Sequence, residues 1–319
     1  MAKKPMSRAR KTGIVFTIIG VSIVGLSFLG WAGSNAVVGI RDHTYYQNRV
    51  KYRPCPGIND PYTPTGLAYD AKGDFVMTAG KMDNPKLASR VYYRDAKGKE
   101  NHCSLYQNEK KPLLSEITGL TTYGNQLYAA HDGIIGIFDI PTLVSEETAV
   151  EMLTFTTAVH ADSLAADGTY LYVGECWEDA ASFSSHEYTN ADGVKTHALG
   201  AVYTLGTGIL QETYTLPNHT KGFLKMSSGE VVVSVENGDW CTEYRIYSFG
   251  KDRVSSKTWE GAPVYELDQK HLVSSFTGPS GGRDIEAIDG RVLTFSSGTG
   301  FERLFQRMLF YQDIDGLMI

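Results

Sequence analysis

The stretch NHTKGFLKMSSGEVVVSVENGDWCTEYRIYSF, residues 218–249, predicts three short strands joined by tight turns. Its first apolar segment, residues 222–226, is followed by a Ser-Ser-Gly turn and by the β-branched run of residues 230–235. After a polar loop, residues 243–249 alternate between apolar and polar side chains, as expected for a half-buried strand. The stretch therefore predicts a small antiparallel sheet.

The same outline of a first strand, a turn and a second strand recurs along the chain. First strands begin near residues 65, 118, 161, 221 and 285, so the repeat lengths are 53, 43, 60 and 64 residues. A four-stranded propeller blade needs about 40–50 residues, and such repeats are typical of sheets stacked around an axis. We therefore predict an all-β fold, a β-propeller with five or six blades. A sixth blade would lie in residues 34–62 or 251–280, and a β-sandwich is the alternative.

The N-terminal segment predicts one transmembrane helix. Five cations and no acid lie in residues 1–11, and the uncharged run GIVFTIIGVSIVGLSFLGWA follows at residues 13–32. Twenty residues in a helix span the ~30 Å hydrocarbon layer, and flanking cations favour the cytoplasmic side. The predicted divisions are a cytoplasmic segment (1–12), a signal-anchor (13–33), a linker with a candidate closing strand (34–60) and a propeller domain (61–319). The alternative is a signal peptide cleaved near residues 34–36 and a secreted protein.

Charge and composition exclude one class of partner. The net charge is −6 for the chain, and without the five N-terminal cations 25 basic residues face 36 acidic ones. A domain with that balance repels phosphate backbones, which argues against nucleic acid. Membrane contact is expected only through the N-terminal helix.

Four cysteines form an even set, which in an exported chain permits two disulfides. Cys176 and Cys241 each follow the second strand of adjacent repeats, and Cys55 and Cys103 flank the first repeat. We predict the pairs Cys55–Cys103 and Cys176–Cys241. Four free thiols are the alternative, and the spacing does not suit a zinc site.

Polar residues at the first strands and in the loops after the second strands are candidates for a site at the mouth of a central channel. Asn237-Gly238 and His131-Asp132-Gly133 can also be explained as ordinary turn residues, and His160 as a residue that satisfies backbone groups at the start of a strand. His160, two residues before Asp162, is the candidate catalytic base. The predicted ligand-binding residues are Thr118, His131, Asp132, Glu175, Lys221 and Glu236.

A metal site is a further candidate. Glu286 lies between Ile285 and Ala287, where a buried carboxylate needs a cation, a hydrogen-bond donor or a metal. The oxygen ligands Asp162, Asn237 and Glu286 would suit Ca²⁺.

The repeated outline, with Thr65-Gly66-Leu67 and Thr118-Gly119-Leu120 opening two repeats, resembles the NHL and SMP-30-like group of β-propellers. The resemblance covers most of residues 61–311. Some members of that group are calcium-dependent lactonases or esterases with a glutamate on an early inner strand, where Thr65 stands here.

We therefore expect a membrane-anchored, extracytoplasmic β-propeller that acts as a binding or scaffold module at the cell envelope, for a protein, glycan or small molecule. The alternative is a calcium-dependent lactonase or esterase-type hydrolase with its site in the central channel and His160 as base. The chain has no glycine-rich phosphate loop.

Overall fold

The protein is described from a computed structural model, over residues 20–30, 32–33, 49–57, 62–69, 75–82, 84, 86–95, 97–178, 186–237, 241–250, 255–278, 282–288, 291–296 and 308–313. Strands are numbered β1–β26 in chain order. In these ranges they form five sheets of four or six strands and one two-stranded hairpin.

The sheets are named I to V and are given from the inner strand outward. Sheet I contains β2 Tyr62–Tyr69, β3 Phe75–Met82, β4 Arg90–Asp95 and β5 Glu100–Asn108, with β6 Lys111–Pro112 and β10 Thr148–Val150 both paired to β5. Sheet II contains β7 Ile117–Tyr123, β8 Gln126–His131, β9 Ile134–Asp139 and β11 Leu153–Phe155. A short helix, Ile140–Ser145, follows β9 and is capped by the Asp139 side chain.

Sheet III contains β12 Ser163–Ala166, β13 Tyr170–Gly174, β16 Ala198–Thr204, β17 Leu210–Leu216, β22 Ala262–Glu266 and β21 Lys257–Trp259. The separate hairpin is β14 Tyr188–Thr189 with β15 Lys195–Thr196. Sheet IV contains β18 Thr220–Lys225, β19 Val231–Asn237, β20 Cys241–Tyr247 and β23 Leu272–Gly278. Sheet V contains β24 Gly282–Ile288, β25 Arg291–Ser296, β26 Met308–Asp313 and β1 Arg49–Pro54.

The inner strands of the five sheets surround one axis. Strands β2, β7, β12, β18 and β24 contact one another in that order, and β24 also contacts β2, which closes the ring. Apolar side chains pack between neighbouring sheets in three clusters, such as Met77 and Leu127 between sheets I and II. The all-β, propeller-like arrangement predicted from the repeats is therefore present.

The two ends of the domain meet in sheet V. Strand β1 pairs antiparallel with β26, Tyr52 lying opposite Phe310, which is the pairing expected of a closing strand. The two regions considered for a sixth blade do not form one in the described ranges. Instead, residues 49–54 complete sheet V, and residues 257–278 supply β21, β22 and β23 to sheets III and IV.

Two glycines, Gly66 and Gly119 of the Thr-Gly-Leu motifs, allow the inner strands to approach closely. A Cβ on Gly119 would lie 2.7 Å from the Leu164 backbone nitrogen and 2.8 Å from the Ser163 Cα. A Cβ on Gly66 would lie 2.9 Å from the Leu120 side chain. Only a residue without a side chain fits at these contacts between neighbouring sheets.

The predicted disulfides are not present. Cys103 and Cys176 both carry free thiols, and the Cys241 side chain lies outside the described part. In β5 the side chain of Cys103 packs into the apolar cluster between sheets I and II. Residues 56–57 pack on the opposite face of sheet I, against Tyr62 and Tyr92. Cys103 lies opposite Val91 in β4 and successive strand residues face opposite sides, so the segment that follows Cys55 packs on the face of sheet I away from Cys103.

Residues 20–30 are helical, and their apolar side chains, including Val24, Leu26 and Leu29, are exposed. Among the described residues no helix has both the length and the apolar character required to span a bilayer. Residues 1–19, which include the first part of the predicted anchor, lie outside the described ranges.

Candidate functional site

A cavity of about 280 Å³ lies where the inner strands begin. We call it the axial cavity. It receives side chains from four of the five sheets, at or next to the starts of β7, β12, β18 and β24 and after β13. Its lining residues are Glu116, Thr118, Asp162, Cys176, Glu178, Lys221 and Arg283. Larger cavities of about 580 and 460 Å³ lie between sheets III and IV, among residues of their outer strands and loops.

A recurring irregularity in the inner strands helps to direct side chains to this mouth. The pairing register shifts at Thr65 in β2, at Thr118 in β7, at Lys221 in β18 and at Arg283-Asp284 in β24. The extra residue at such a β-bulge makes no pairing hydrogen bonds with the neighbouring strand. Its side chain therefore does not follow the regular alternation between the two faces of the sheet. Three of the cavity-lining residues occupy these positions.

Lys221 is a buried cation held by two carboxylates. Its Nζ donates to Glu178 and lies 3.3 Å from Glu236 Oε2. Burial lowers the pKa of Lys221, but the Cys176 thiol and the carboxylates of Glu178 and Glu236 outweigh that effect, and the pKa is raised. The ammonium therefore stays charged and links a loop of sheet III to sheet IV.

Asp162 joins the cavity to His160. Its Oδ2 lies 3.1 Å from His160 Nδ1 and accepts a hydrogen bond of 2.8 Å from the Cys176 backbone nitrogen. Burial alone would lower the pKa of His160, yet the hydrogen bond and negative charge of Asp162 raise it. A carboxylate that orients an imidazole is an arrangement used for proton transfer. His160 itself packs over Gly133 and is not among the residues lining the axial cavity.

Glu175 is a buried carboxyl group next to this pair. Its Oε1 and Oε2 accept hydrogen bonds from the backbone nitrogens of His160 (2.9 Å) and Leu199 (2.8 Å), and His186 Nε2 lies 3.6 Å from Oε1. Burial raises the pKa of Glu175 to about 7, although both backbone donors favour its charged form. Glu175 therefore holds the start of β12 against β16 and changes charge near neutral pH.

The raised pKa of Glu175 predicts that stability falls as pH rises. Between the ordinary pKa of 4.5 and about 7, the folded protein keeps a proton that the unfolded chain releases. The free energy of unfolding therefore declines across that range, by up to about 3 kcal/mol from this residue, and levels off above it. Urea unfolding from pH 4.5 to 8 measures the slope.

A matched comparison isolates the contribution of Glu175. The variant Glu175→Gln should have a shallower pH slope, and the exposed-site variant Glu187→Gln should retain the parent slope. The buried carboxyls Asp284 and Glu286, whose pKa values burial also raises, contribute a slope of the same sign that Glu175→Gln leaves in place. An unchanged slope in Glu175→Gln would contradict this assignment.

The predicted ligand-binding residues are only partly brought together. Thr118 and Lys221 line the axial cavity, Glu236 reaches Lys221 from the side, and Glu175 lies behind Asp162. His131 is buried within sheet II, where its ring nitrogens lie 3.5 Å from Glu151 and 3.6 Å from Asp132. Asp132 forms the β8–β9 hairpin turn with Gly133, at φ values of 50° and 76°, which is the ordinary role of that dipeptide.

The predicted calcium ligands do not converge. Asp162 lines the axial cavity, Asn237 lines the 460 Å³ cavity, and Glu286 is buried on the axis, where its Oε2 accepts a 2.9 Å hydrogen bond from Thr121 Oγ1. Within the described ranges no group of three histidine, cysteine, aspartate or glutamate side chains has the arrangement of a metal site. The oxygen set proposed for Ca²⁺ therefore does not fit the geometry.

Asp284 and Glu286 form a polar core on the axis. The Oδ2 of Asp284 accepts hydrogen bonds from the backbone nitrogens of Leu67 (3.1 Å) and Leu120 (2.8 Å), and the nitrogen of Leu164 also bonds its carboxyl group. These donors belong to sheets I, II and III, so a residue of sheet V ties three other inner strands together. The interior of the predicted channel is therefore occupied by a structural carboxylate, and the accessible site lies at its mouth.

Sequence reasoning missed two charged residues of the axial cavity, Glu116 and Arg283. Each lies next to the start of an inner strand, as Lys221 does. The signal that could have found Arg283 is its correspondence with Lys221, because both are released at a bulge near the start of the first strand of a repeat.

Comparisons with known proteins place the chain beside solved propeller-like structures at low similarity. No protein-family model and no curated protein matches the chain. Hydrazine synthase from Kuenenia stuttgartiensis is 10% identical, with a TM-score of 0.39 over 74% of this chain, which spans only 56% of that one. Glutaminyl cyclase from Myxococcus xanthus is 8% identical, with a TM-score of 0.43 over 82% of this chain and 94% of that one.

The PQQ-bound aldose sugar dehydrogenase from Streptomyces coelicolor is 12% identical, with a TM-score of 0.43 over 82% of this chain and 98% of that one. These comparisons do not confirm the resemblance to the NHL and SMP-30-like group. The propeller-like fold follows from the closed ring of inner strands described above.

Proposed function

We propose that the chain is a five-bladed, extracytoplasmic β-propeller that binds a small polar ligand in the axial cavity. The observation that carries the proposal is the convergence of seven polar residues from four sheets on one space of about 280 Å³. That volume lies just below the range of roughly 300–1,000 Å³ that is common for small-molecule pockets. The polar lining favours a ligand that is recognised by hydrogen bonds and charge.

A cavity-filling variant tests the proposal whatever the identity of the ligand. Thr118 is half-buried, and within the described ranges its hydroxyl makes only a long hydrogen bond of 3.5 Å to the Ala130 carbonyl oxygen. The variant Thr118→Trp should place an indole in the axial cavity and weaken binding at least about tenfold, a loss of about 1.4 kcal/mol. The measurement is a thermal-shift screen of the full chain against sugars, polyols, dicarboxylates and amino acids, followed by calorimetry on the hits.

The matched control is Thr207→Trp, an exposed threonine at a different cavity between sheets II and III. It should bind the hits as the parent does. Circular dichroism and melting temperature establish that both variants are folded. Binding that survives Thr118→Trp, or the absence of any hit in the panel, would contradict the proposal.

The compartment is part of the same proposal. The basic residues 1–11 and the apolar run of residues 13–32 support an anchor whose C-terminal domain lies outside the cytoplasm. Protease added to intact spheroplasts tests this orientation, because it should degrade the propeller domain only if that domain is outside.

A calcium-dependent hydrolase is not the function that this geometry favours. Its proposed ligands Asp162, Asn237 and Glu286 lie in three different places. One observation supports that hypothesis, the distance of 3.1 Å between His160 Nδ1 and Asp162 Oδ2.

A further inference from the structure

We infer that the ligand of the axial cavity is a small zwitterion of the amino acid class, with its carboxylate on Arg283 and its ammonium group facing Glu116 and Asp162. This inference rests on the proposed function and adds the chemistry of the ligand. It follows from which charges of the cavity are already neutralised within the protein and which are not.

Two of the five charged groups that line the cavity neutralise each other. Lys221 donates to Glu178, and it also lies within ion-pair distance of Glu236, outside the cavity. The two partner carboxylates leave little of the charge of Lys221 for an incoming anion. Lys221 and Glu178 therefore form a wall of the cavity, and the ligand is selected by the other charged groups.

Arg283 is the cation that remains. It is only partly buried, and among the described residues its guanidinium makes no hydrogen bond and no ion pair. The pKa of Glu178 is lowered chiefly by its hydrogen bond to Lys221 and, to a smaller extent, by the charge of Arg283. A guanidinium presents a planar fork of donors that matches a carboxylate with two parallel hydrogen bonds. Arg283 is thus a ready carboxylate receptor at the edge of the cavity.

Glu116 and Asp162 supply the complementary negative charge. The Glu116 carboxylate is exposed and makes no hydrogen bond or ion pair within the described part of the chain. Asp162 uses Oδ2 for His160 and for the Cys176 nitrogen, and no bond to its Oδ1 is seen among these residues. A simple anion would face both carboxylates and a simple cation would face Arg283, whereas a zwitterion complements both signs.

The first test compares a zwitterion with its two singly charged analogues. The full chain is titrated by calorimetry with the twenty standard L-amino acids. The tightest is then compared with the amine that lacks its carboxylate and with the acid that lacks its ammonium group. Each analogue should bind at least about tenfold more weakly, because each leaves a charged hydrogen bond unmade.

The second test assigns each charge to its residue. Arg283→Gln should weaken the amino acid at least about tenfold but leave the amine analogue unchanged, and Glu116→Gln should weaken the amino acid and spare the acid analogue. Lys97→Gln is the matched control, since it removes one charge from the β4–β5 turn of sheet I, which contributes no residue to the axial cavity.

The outcomes separate this inference from the function on which it rests. One outcome is that a neutral sugar or polyol binds, that Thr118→Trp abolishes this binding, and that no amino acid binds. In that case the axial cavity is a ligand site, but the assignment of a zwitterion is wrong. If Arg283→Gln weakens the amine analogue as much as the amino acid, the assignment of the carboxylate to Arg283 is overturned. If nothing binds in either screen, both proposals are overturned.

Discussion

Replacing Asp284 with alanine should lower the free energy of unfolding by about 3–6 kcal/mol or prevent folding altogether. The carboxyl group is fully buried and accepts backbone hydrogen bonds from Leu67, Leu120 and Leu164 in three other sheets. Each buried N–H group left without an acceptor costs about 1–3 kcal/mol, and a methyl side chain offers none. The loss should be seen as a lower urea midpoint or as insoluble protein.

Two further variants test whether the loss of stability is due to the hydrogen bonds of Asp284. Asp284→Asn keeps one carbonyl acceptor and should lose less stability than Asp284→Ala. Glu109→Ala removes an exposed carboxylate from the end of sheet I and should change stability by less than about 0.5 kcal/mol. If the free energy of unfolding of Asp284→Ala is within about 1 kcal/mol of that of the parent, the packing of the inner strands does not depend on this carboxylate.

The variant Gly119→Ala should be destabilised by about 2–4 kcal/mol. Its new methyl group would meet the backbone of Ser163 and Leu164 at 2.7–2.9 Å, and backbone atoms of a packed inner strand cannot move aside as a flexible side chain can. Forcing an extra carbon into a packed core typically costs 1–3 kcal/mol, with larger values where the neighbour is rigid. Urea unfolding monitored by tryptophan fluorescence measures the difference.

The neighbouring residue provides the control for Gly119. Thr118→Ala removes atoms from the axial cavity and inserts none between sheets, so its loss should stay near or below about 1 kcal/mol. Equal stability of Gly119→Ala and the parent would mean that sheets II and III separate readily, in conflict with the close contact of β7 and β12.

The inner strands could be predicted because their signal is local. Thr-Gly-Leu followed by a turn and a β-branched run marks β2 and β7, and the corresponding segments mark β12, β18 and β24 within a few residues. The outer strands lack such a signal. Strand β11 has only three residues, and β1 gains its partner from the opposite end of the chain, so neither is defined by its own periodicity.

The site was predicted only in part because its chemistry depends on neighbours. The sequence predicted that a buried Glu286 needs a partner, and in the structure its carboxylate accepts a hydrogen bond from the Thr121 hydroxyl. His131 and Asp132 matched the expected position in the repeat, yet one is packed inside sheet II and the other forms a turn. Arg283 became evident only when its bulge was seen beside the ends of the other inner strands.

The pairing of β1 with β26 has a consequence for biosynthesis. Residues 49–54 are translated about 250 residues before the strand against which they lie, residues 308–313. Until then the early strand has no hydrogen-bonding neighbour, and unpaired edges are the features through which chains associate wrongly. The nascent domain therefore cannot close sheet V until residues 308–313 have been made, and deletion of these residues should lead to aggregation and degradation.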